Sequence, residues 1–117
     1  TARHAFLLQR LTCGAEQISH RDALRWATRG SAACLGRDDI GAIAPGLQAD
    51  LALYRLDELR FSGAGDPLAA LILCGATHAD RVMVGGRWVV EDGLIPGLDL
   101  PALIHAHRRA AADLLHD

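Results

Sequence analysis

The stretch Arg81-Val82-Met83-Val84-Gly85-Gly86-Arg87-Trp88-Val89-Val90 constrains the fold of this chain more than any other. Two β-rich runs flank a Gly-Gly pair, and the tight two-residue turns that suit a hairpin need positive φ, which glycine adopts without steric cost. Pairing then predicts Val84 opposite Arg87, Met83 opposite Trp88 and Val82 opposite Val89. Strand alternation puts Met83 and Trp88 on one face and Val82 and Val89 on the other, so both faces are apolar and both require cover. With 117 residues the chain has room for one modest core, because single domains run to roughly 100–200 residues.

Helical signals surround this hairpin. Ala2–Leu11 shows apolar residues at three- and four-residue spacing and is expected to end near Cys13-Gly14. Ser19 three residues before Asp22 forms a capping-box pattern with Ile18 as a hydrophobic staple, opening a second helix from about His20 to Leu35. Its buried side is expected to use Ala23, Leu24, Ala27, Ser31 and Cys34, with Trp26 beside them and Gly36 as the stop. A last amphipathic helix follows from Leu100, Leu103, Ile104, His107, Ala110, Ala111, Leu114 and Leu115, capped by Asp99 with Pro101 in its first turn.

Between residues 37 and 96 the period changes. Ile40 and Ile43 flank small residues, Pro45-Gly46 marks a turn, and Leu51–Leu56 is a compact run bounded by Asp50 and Asp57, which predicts two short strands joined by a turn. Ser62–Asp66 reads as a Gly-rich loop, and Asp66-Pro67 as cap and first residue of a short helix reaching Leu73 and stopped by Gly75. Three segments result: a helical part over 1–36, a β-rich part over 37–96 and a terminal helix over 97–117.

Charge and composition remove several function classes. Twelve basic against 14 acidic residues leave a formal net charge of −2, which excludes the strong positive field of a general nucleic-acid binder. Every basic residue is Arg, so Schiff-base chemistry and a phosphate-loop lysine are excluded for this chain. Cys13, Cys34 and Cys74 are odd in number and never form C-x-x-C, which argues against a disulfide framework and a zinc-thiolate site and suits a reducing cytoplasm. No apolar run approaches the ~20 residues of a membrane span. The core is expected to be aliphatic, since aromatic residues are only 4% of the chain.

The remaining constellations have bland readings. His105-x-His107 resembles a metal pair, but two positions on a helix diverge by roughly 200°, so the rings point apart. His4, His20, His78 and His116 lack acidic or cysteine partners at ligand spacing. Gly63-Ala64-Gly65 lacks the third glycine and the Lys-Ser/Thr of a phosphate cradle. Asp38-Asp39 and Glu91-Asp92 border turns. Ser31 and Ser62 have no histidine and acid in a triad pattern, and the free cysteines read equally as core residues or nucleophiles.

The run Ile40-Gly41-Ala42-Ile43-Ala44-Pro45-Gly46-Leu47-Gln48-Ala49-Asp50-Leu51-Ala52-Leu53-Tyr54 resembles the carboxy-terminal part of the amidohydrolase superfamily. The stretch from Ala79 to Gly93 looks like the hairpin that follows in those enzymes, and Asp22 to Gly36 is similar to the helix that closes their barrel. These three ordered pieces cover essentially the whole chain. Within the superfamily they resemble the cytosine and guanine deaminase-like branch, and Arg60 to Leu71 looks most like the 8-oxoguanine deaminases; relatives that act on triazines or adenosine-type thioethers share much of the scaffold.

The resemblance implies an α/β parent: a (β/α)8 barrel with a metal-bound hydroxide, zinc being the expected metal, plus a composite β-sandwich built from both ends of the polypeptide. On this expectation the chain holds the closing barrel helices (1–36), the carboxy-terminal contribution to the sandwich (37–96) and a helix returning to the barrel (97–117). The parent would deaminate a purine-type base hydrolytically, 8-oxoguanine giving urate and ammonia, with the remainder of the same polypeptide as the chain's partner and a homodimer as a possible assembly. The family's ligands and acid-base groups match no position here, so the resemblance assigns no catalytic, cofactor-binding or metal residue to this chain and expects it to be inert alone. Asp50 matches a family position whose implied task is to fix the entry of a strand. The helix-like start without an initiator Met is also expected of a segment of something longer. The competing class is a noncatalytic, stand-alone β-rich binding or scaffold module, against which stand the two apolar faces of the hairpin.

Overall fold

A computed structural model describes residues 1–76 and 78–115; His116 lies outside the described residues. Helix α1 spans Ala2–Cys13 and stops at Gly14, whose φ of 98° breaks the helical path while its N–H still reaches Arg10 O. Helix α2 covers His20–Arg25 and opens with the expected reciprocal box. Asp22 N donates to Ser19 Oγ at 3.2 Å, and Ser19 N donates to Asp22 Oδ2 at 3.0 Å.

The predicted single helix from His20 to Leu35 is interrupted. A π-helical turn, Trp26–Gly30, separates α2 from α3 (Ser31–Cys34). A wider turn delays the helical phase by about one residue. The buried face of the second half therefore falls on Ala32, not on Ser31 or Cys34, and Ala27 and Trp26 are also exposed. Thr28 Oγ1 and Ser31 Oγ donate back to the carbonyls of Leu24 and Trp26, at 2.8 and 3.2 Å, and help satisfy this irregular stretch.

Helix α4, Pro67–Leu73, forms as the Asp66-Pro67 signal requires: Asp66 Oδ1 accepts from Leu68 N at 2.8 Å and Ala69 N at 3.3 Å. It packs on α1 and α2 around Phe6, Ala23 and Ile72, with Ala2, Ile18 and Leu24 against them. Phe61 is buried too, so both phenylalanines enter the interior of a chain whose core was expected to be aliphatic.

The sheet has three antiparallel strands in the order β1 (Leu51–Leu53), β2 (Arg81–Val84) and β3 (Arg87–Val90). Val84 faces Arg87 and Met83 faces Trp88 as predicted, but Val82 pairs with Val90 and not with Val89. A bulge between Val82 and Met83 accounts for the shift, since one extra residue on β3 moves the following pair along by one. Only one of the two strands expected between residues 37 and 56 forms. Residues 38–48 instead fold into a loop held by Gln48 N donating to Asp39 O at 2.8 Å, and this loop lies on the π turn and the start of α3: a Cβ at Gly41 would stand 3.1 Å from Thr28 O and 2.9 Å from Ala32 Cβ.

Helix α5, Leu100–Leu115, is capped by Asp99 Oδ1, which accepts from Ala102 N at 3.0 Å. None of its residues is buried. The accessible surface of 8990 Å² exceeds the roughly 6,200 Å² of a compact monomer of this mass, and the radius of gyration of 17.8 Å exceeds the expected ~13 Å. The helical cluster, the sheet and α5 are each well formed, yet they leave large apolar surfaces open.

Candidate functional site

The main concavity is a groove of about 960 Å³ between the helical cluster and the sheet edge. Leu24, Ala27, Ile40, Ala42, Leu51 and Leu71 line it, so its walls are chiefly aliphatic. Several of its polar members are already engaged. Thr28 and Ser31 spend their hydroxyls on helix carbonyls, Asp50 Oδ1 accepts from Gly85 N at 2.7 Å, and His4 Nδ1 lies 2.6 Å from Thr1 Oγ1. The groove can accommodate apolar surface, and these side chains place no nucleophile, general base and oxyanion donor around a common point.

Polar clusters lie elsewhere. His20, read in the sequence as lacking an acidic partner, comes to Asp66: Nε2 is buried and 3.1 Å from Oδ2, without the alignment of a directed hydrogen bond. Arg21 reaches the same oxygen at 3.7 Å. The N–H groups of Leu68 and Ala69 hold the Asp66 carboxyl below the usual carboxylate range, with His20 and Arg21 adding to the effect. The Ser19 hydroxyl does the same for Asp22, and the Arg37 guanidinium for Asp39. At the far end of the sheet, Arg55 Nε bonds Asp80 Oδ1 at 2.7 Å, while Arg55 and Arg81 approach Asp92 Oδ1 at 3.9 and 3.8 Å. Such pairings join residues distant in sequence and leave no signal in local spacing.

The remaining motifs lie in turns, in local pairings and on exposed surfaces. Glu91 and Asp92 belong to a turn closed by Glu91 and Leu94, with positive φ at Asp92 and Gly93. Asp39 is taken up by Arg37 and Gln48, and Ser62 Oγ donates to Leu59 O at 2.9 Å. Cys13 and Cys34 are exposed and Cys74 half-buried, all as free thiols, so the first two are not core residues. Among the described residues no three His, Cys, Asp or Glu side chains gather to hold a metal ion, and His105 and His107 share a wholly exposed helix. No described helix is long and apolar enough to cross a membrane.

Residues 1–89 match the Amidohydrolase family. The chain belongs to that family. Amidohydrolase relatives include the 8-oxoguanine deaminase of Pseudomonas aeruginosa, 66% identical over 97% of this chain and 25% of that protein. An isoxanthopterin deaminase from an unknown prokaryotic organism is 35% identical over 89% of this chain and 22% of its own length. The chain thus spans about a quarter of the length of these curated amidohydrolases. Among solved structures, an adenosine deaminase from Xanthomonas campestris with bound zinc superposes with a TM-score of 0.88 at 26% identity, covering 99% of this chain and 27% of that one. The atrazine chlorohydrolase TrzN from Arthrobacter aurescens TC1, complexed with zinc, superposes with a TM-score of 0.80 at 38% identity, covering 90% of this chain and 24% of that one. The architecture is that of a segment of an amidohydrolase, a superfamily of TIM-barrel enzymes.

Zinc is named for both solved relatives, while among the described residues of this chain no three His, Cys, Asp or Glu side chains converge as a tetrahedral site would require.

Proposed function

We propose that this chain is the carboxy-terminal quarter of an aminohydrolase that converts 8-oxoguanine to urate and ammonia. The 66% identity over 97% of the chain to an 8-oxoguanine deaminase carries the reading. In the reaction water adds at the amino-bearing ring carbon, the C–N bond breaks with release of ammonia, and a carbonyl replaces the amino group. The zinc expected of the parent and the groups that move protons belong, on this reading, to the remainder of the same polypeptide. The three free thiols fit a cytoplasmic enzyme.

The part played by the chain is mechanical. Residues 1–36, with α4 packed on them, serve as closing helices of the barrel; residues 37–96 contribute strands to a β-sandwich; residues 97–117 form a helix returning to the barrel. The groove and the two faces of the hairpin supply the apolar surfaces along which such layers meet.

The test is turnover by the intact polypeptide. Purified with zinc, it should release ammonia from 8-oxoguanine with formation of urate at least tenfold more efficiently than from isoxanthopterin, S-adenosylhomocysteine or an aminotriazine. Preference for any of those three would overturn the assigned substrate, and no release of ammonia from any of them would overturn the aminohydrolase reading itself.

A further inference from the structure

The sequence contains no asparagine, and of its aspartates Asp92 alone precedes a glycine. An Asp-Gly link closes into a cyclic imide more readily than other aspartyl links, because glycine has no side chain to hinder attack by its amide nitrogen on the neighbouring carboxyl carbon. Here the pair forms the tip of a tight turn. Glu91 N donates to Leu94 O and Leu94 N to Glu91 O, both at 2.9 Å, and φ is 50° at Asp92 and 74° at Gly93. Positive φ at both central residues is the type I′ arrangement, and Asp92 is the one non-glycine residue with positive φ among the described residues. Its side chain is 70% exposed, so water reaches the carboxyl.

The surrounding contacts oppose ring closure. Gly93 N–H donates to Asp80 O at 2.8 Å. Arg55 clamps the same aspartate, with Nε donating to Asp80 Oδ1 at 2.7 Å, and its Nη2 stands 3.9 Å from Asp92 Oδ1. To reach the Asp92 Cγ, the Gly93 nitrogen has to give up its proton and the peptide plane between the two residues has to turn. Both movements break the bond to Asp80, and the second also breaks the bond from Leu94 N to Glu91 O that closes the turn.

We propose that Asp92-Gly93 is a site of isoaspartate formation, and that the bond from Gly93 N–H to Asp80 O, braced by Arg55, is the latch that sets its rate in the folded enzyme. When the latch opens, the deprotonated Gly93 nitrogen forms a bond to Asp92 Cγ, the carboxyl hydroxyl leaves, and with the released proton it departs as water. Water then adds back to the imide. Attack at Cγ restores aspartate, whereas attack at the main-chain carbonyl carbon leaves the chain running through Cβ and Cγ, an isoaspartate of unchanged mass. The backbone gains a methylene that a two-residue turn has no room for, so the Glu91–Leu94 bridge opens and the new carboxylate leaves Arg55 and Arg81. The proposal is independent of the substrate assigned above.

The test ages the intact polypeptide folded in neutral buffer and, in parallel, unfolded in urea. Isoaspartate is labelled by methyl transfer from S-adenosylmethionine with an isoaspartyl methyltransferase and located by peptide mass spectrometry. Unfolded, Asp92 should convert faster than any other aspartate of residues 1–117. Folded, it should convert at least about tenfold more slowly, since two hydrogen bonds have to open first. Arg55→Ala, which frees Asp80, should raise the folded rate at least about threefold and leave the unfolded rate unchanged. Another aspartate leading in the unfolded chain would overturn the site, and equal folded and unfolded rates would overturn the latch. A folded Arg55→Ala enzyme converting no faster than the unsubstituted one would overturn the part given to Arg55. The unsubstituted enzyme decides site and latch even if that variant does not fold.

Discussion

The carboxylate of Asp50, one residue before β1, accepts a 2.7 Å hydrogen bond from the backbone N–H of Gly85 at the tip of the β2–β3 hairpin. Gly86 N–H donates to Ala49 O at 3.1 Å beside it. Together these bonds lock the start of one strand to a turn far along the chain, and they set the register Leu51 to Met83. The implied role of Asp50 in fixing the entry of a strand has here a physical form.

Removing that acceptor should loosen the hairpin without changing the fold. Asp50→Ala leaves a backbone N–H without its charged partner and is expected to cost about 1–2 kcal/mol of local stability, a roughly 5- to 30-fold faster amide exchange across residues 81–90 of the intact enzyme. Asp50→Asn keeps an acceptor and should cost less. Exchange unchanged in Asp50→Ala would show that the turn holds its register without the strap.

Gly41 and Gly46 form a natural comparison, because their φ values are +86° and +88° while their surroundings differ. A Cβ at Gly46 meets nothing within 4 Å, whereas one at Gly41 would meet Ala32 Cβ at 2.9 Å, Thr28 O at 3.1 Å and Arg29 Cα at 3.2 Å. Gly46→Ala should therefore cost about 1 kcal/mol from backbone strain, and Gly41→Ala about 2–4 kcal/mol, since overpacking against the π turn is added. Thermal unfolding of the two variants of the intact enzyme should separate them, with Gly41→Ala the lower melting; equal midpoints would rule out the close approach.

Three carboxylates tie stability to pH. Asp22, Asp39 and Asp66 are held below their ordinary values by Ser19, by Arg37 and by the N–H groups of Leu68 and Ala69 respectively. A depressed folded value means that the stabilisation is fully present above the unfolded carboxylate value near 4 and is lost as pH falls through the folded value. The N-terminal turns of α2 and α4 should then loosen together below about pH 4. Asp66→Asn, which retains the cap acceptor but not the charge, should flatten the acid response of residues 67–73 in exchange measured from pH 3 to 6; a response identical to that of the unsubstituted enzyme would count against the assignment.

How much of this was legible depends on whether the signal is local. Ser19-Asp22 and Asp66-Pro67 satisfy helix ends with groups two or three residues away, and Gly85-Gly86 makes its own turn, so sequence alone places them. The π turn at Trp26–Gly30 and the bulge beside Val89 each insert one residue into a regular period, and periodicity has no term for that insertion; hence the errors at Ser31, Cys34 and Val82. The pairings His20–Asp66 and Arg55–Asp80 depend on tertiary approach and were invisible. The apolar groove is built from aliphatic residues that look, in sequence, like any core position.

The exposed surfaces lead to a prediction about the 117-residue chain by itself. Among the described residues three of the six buried hydrophobic ones are alanines, while Leu11, Ile43 and Leu59 are 84%, 89% and 91% exposed. So little burial cannot offset the conformational entropy of ordering the chain, which runs to roughly 1–2 kcal/mol per residue for the backbone alone. Expressed alone, the chain should melt without a cooperative transition, bind the dye ANS and associate at micromolar concentration. In the intact enzyme the same residues should unfold with the body of the protein and bind no dye. A sharp, reversible melt of a monodisperse 12.5 kDa monomer would instead favour a self-sufficient module, and with it the noncatalytic alternative.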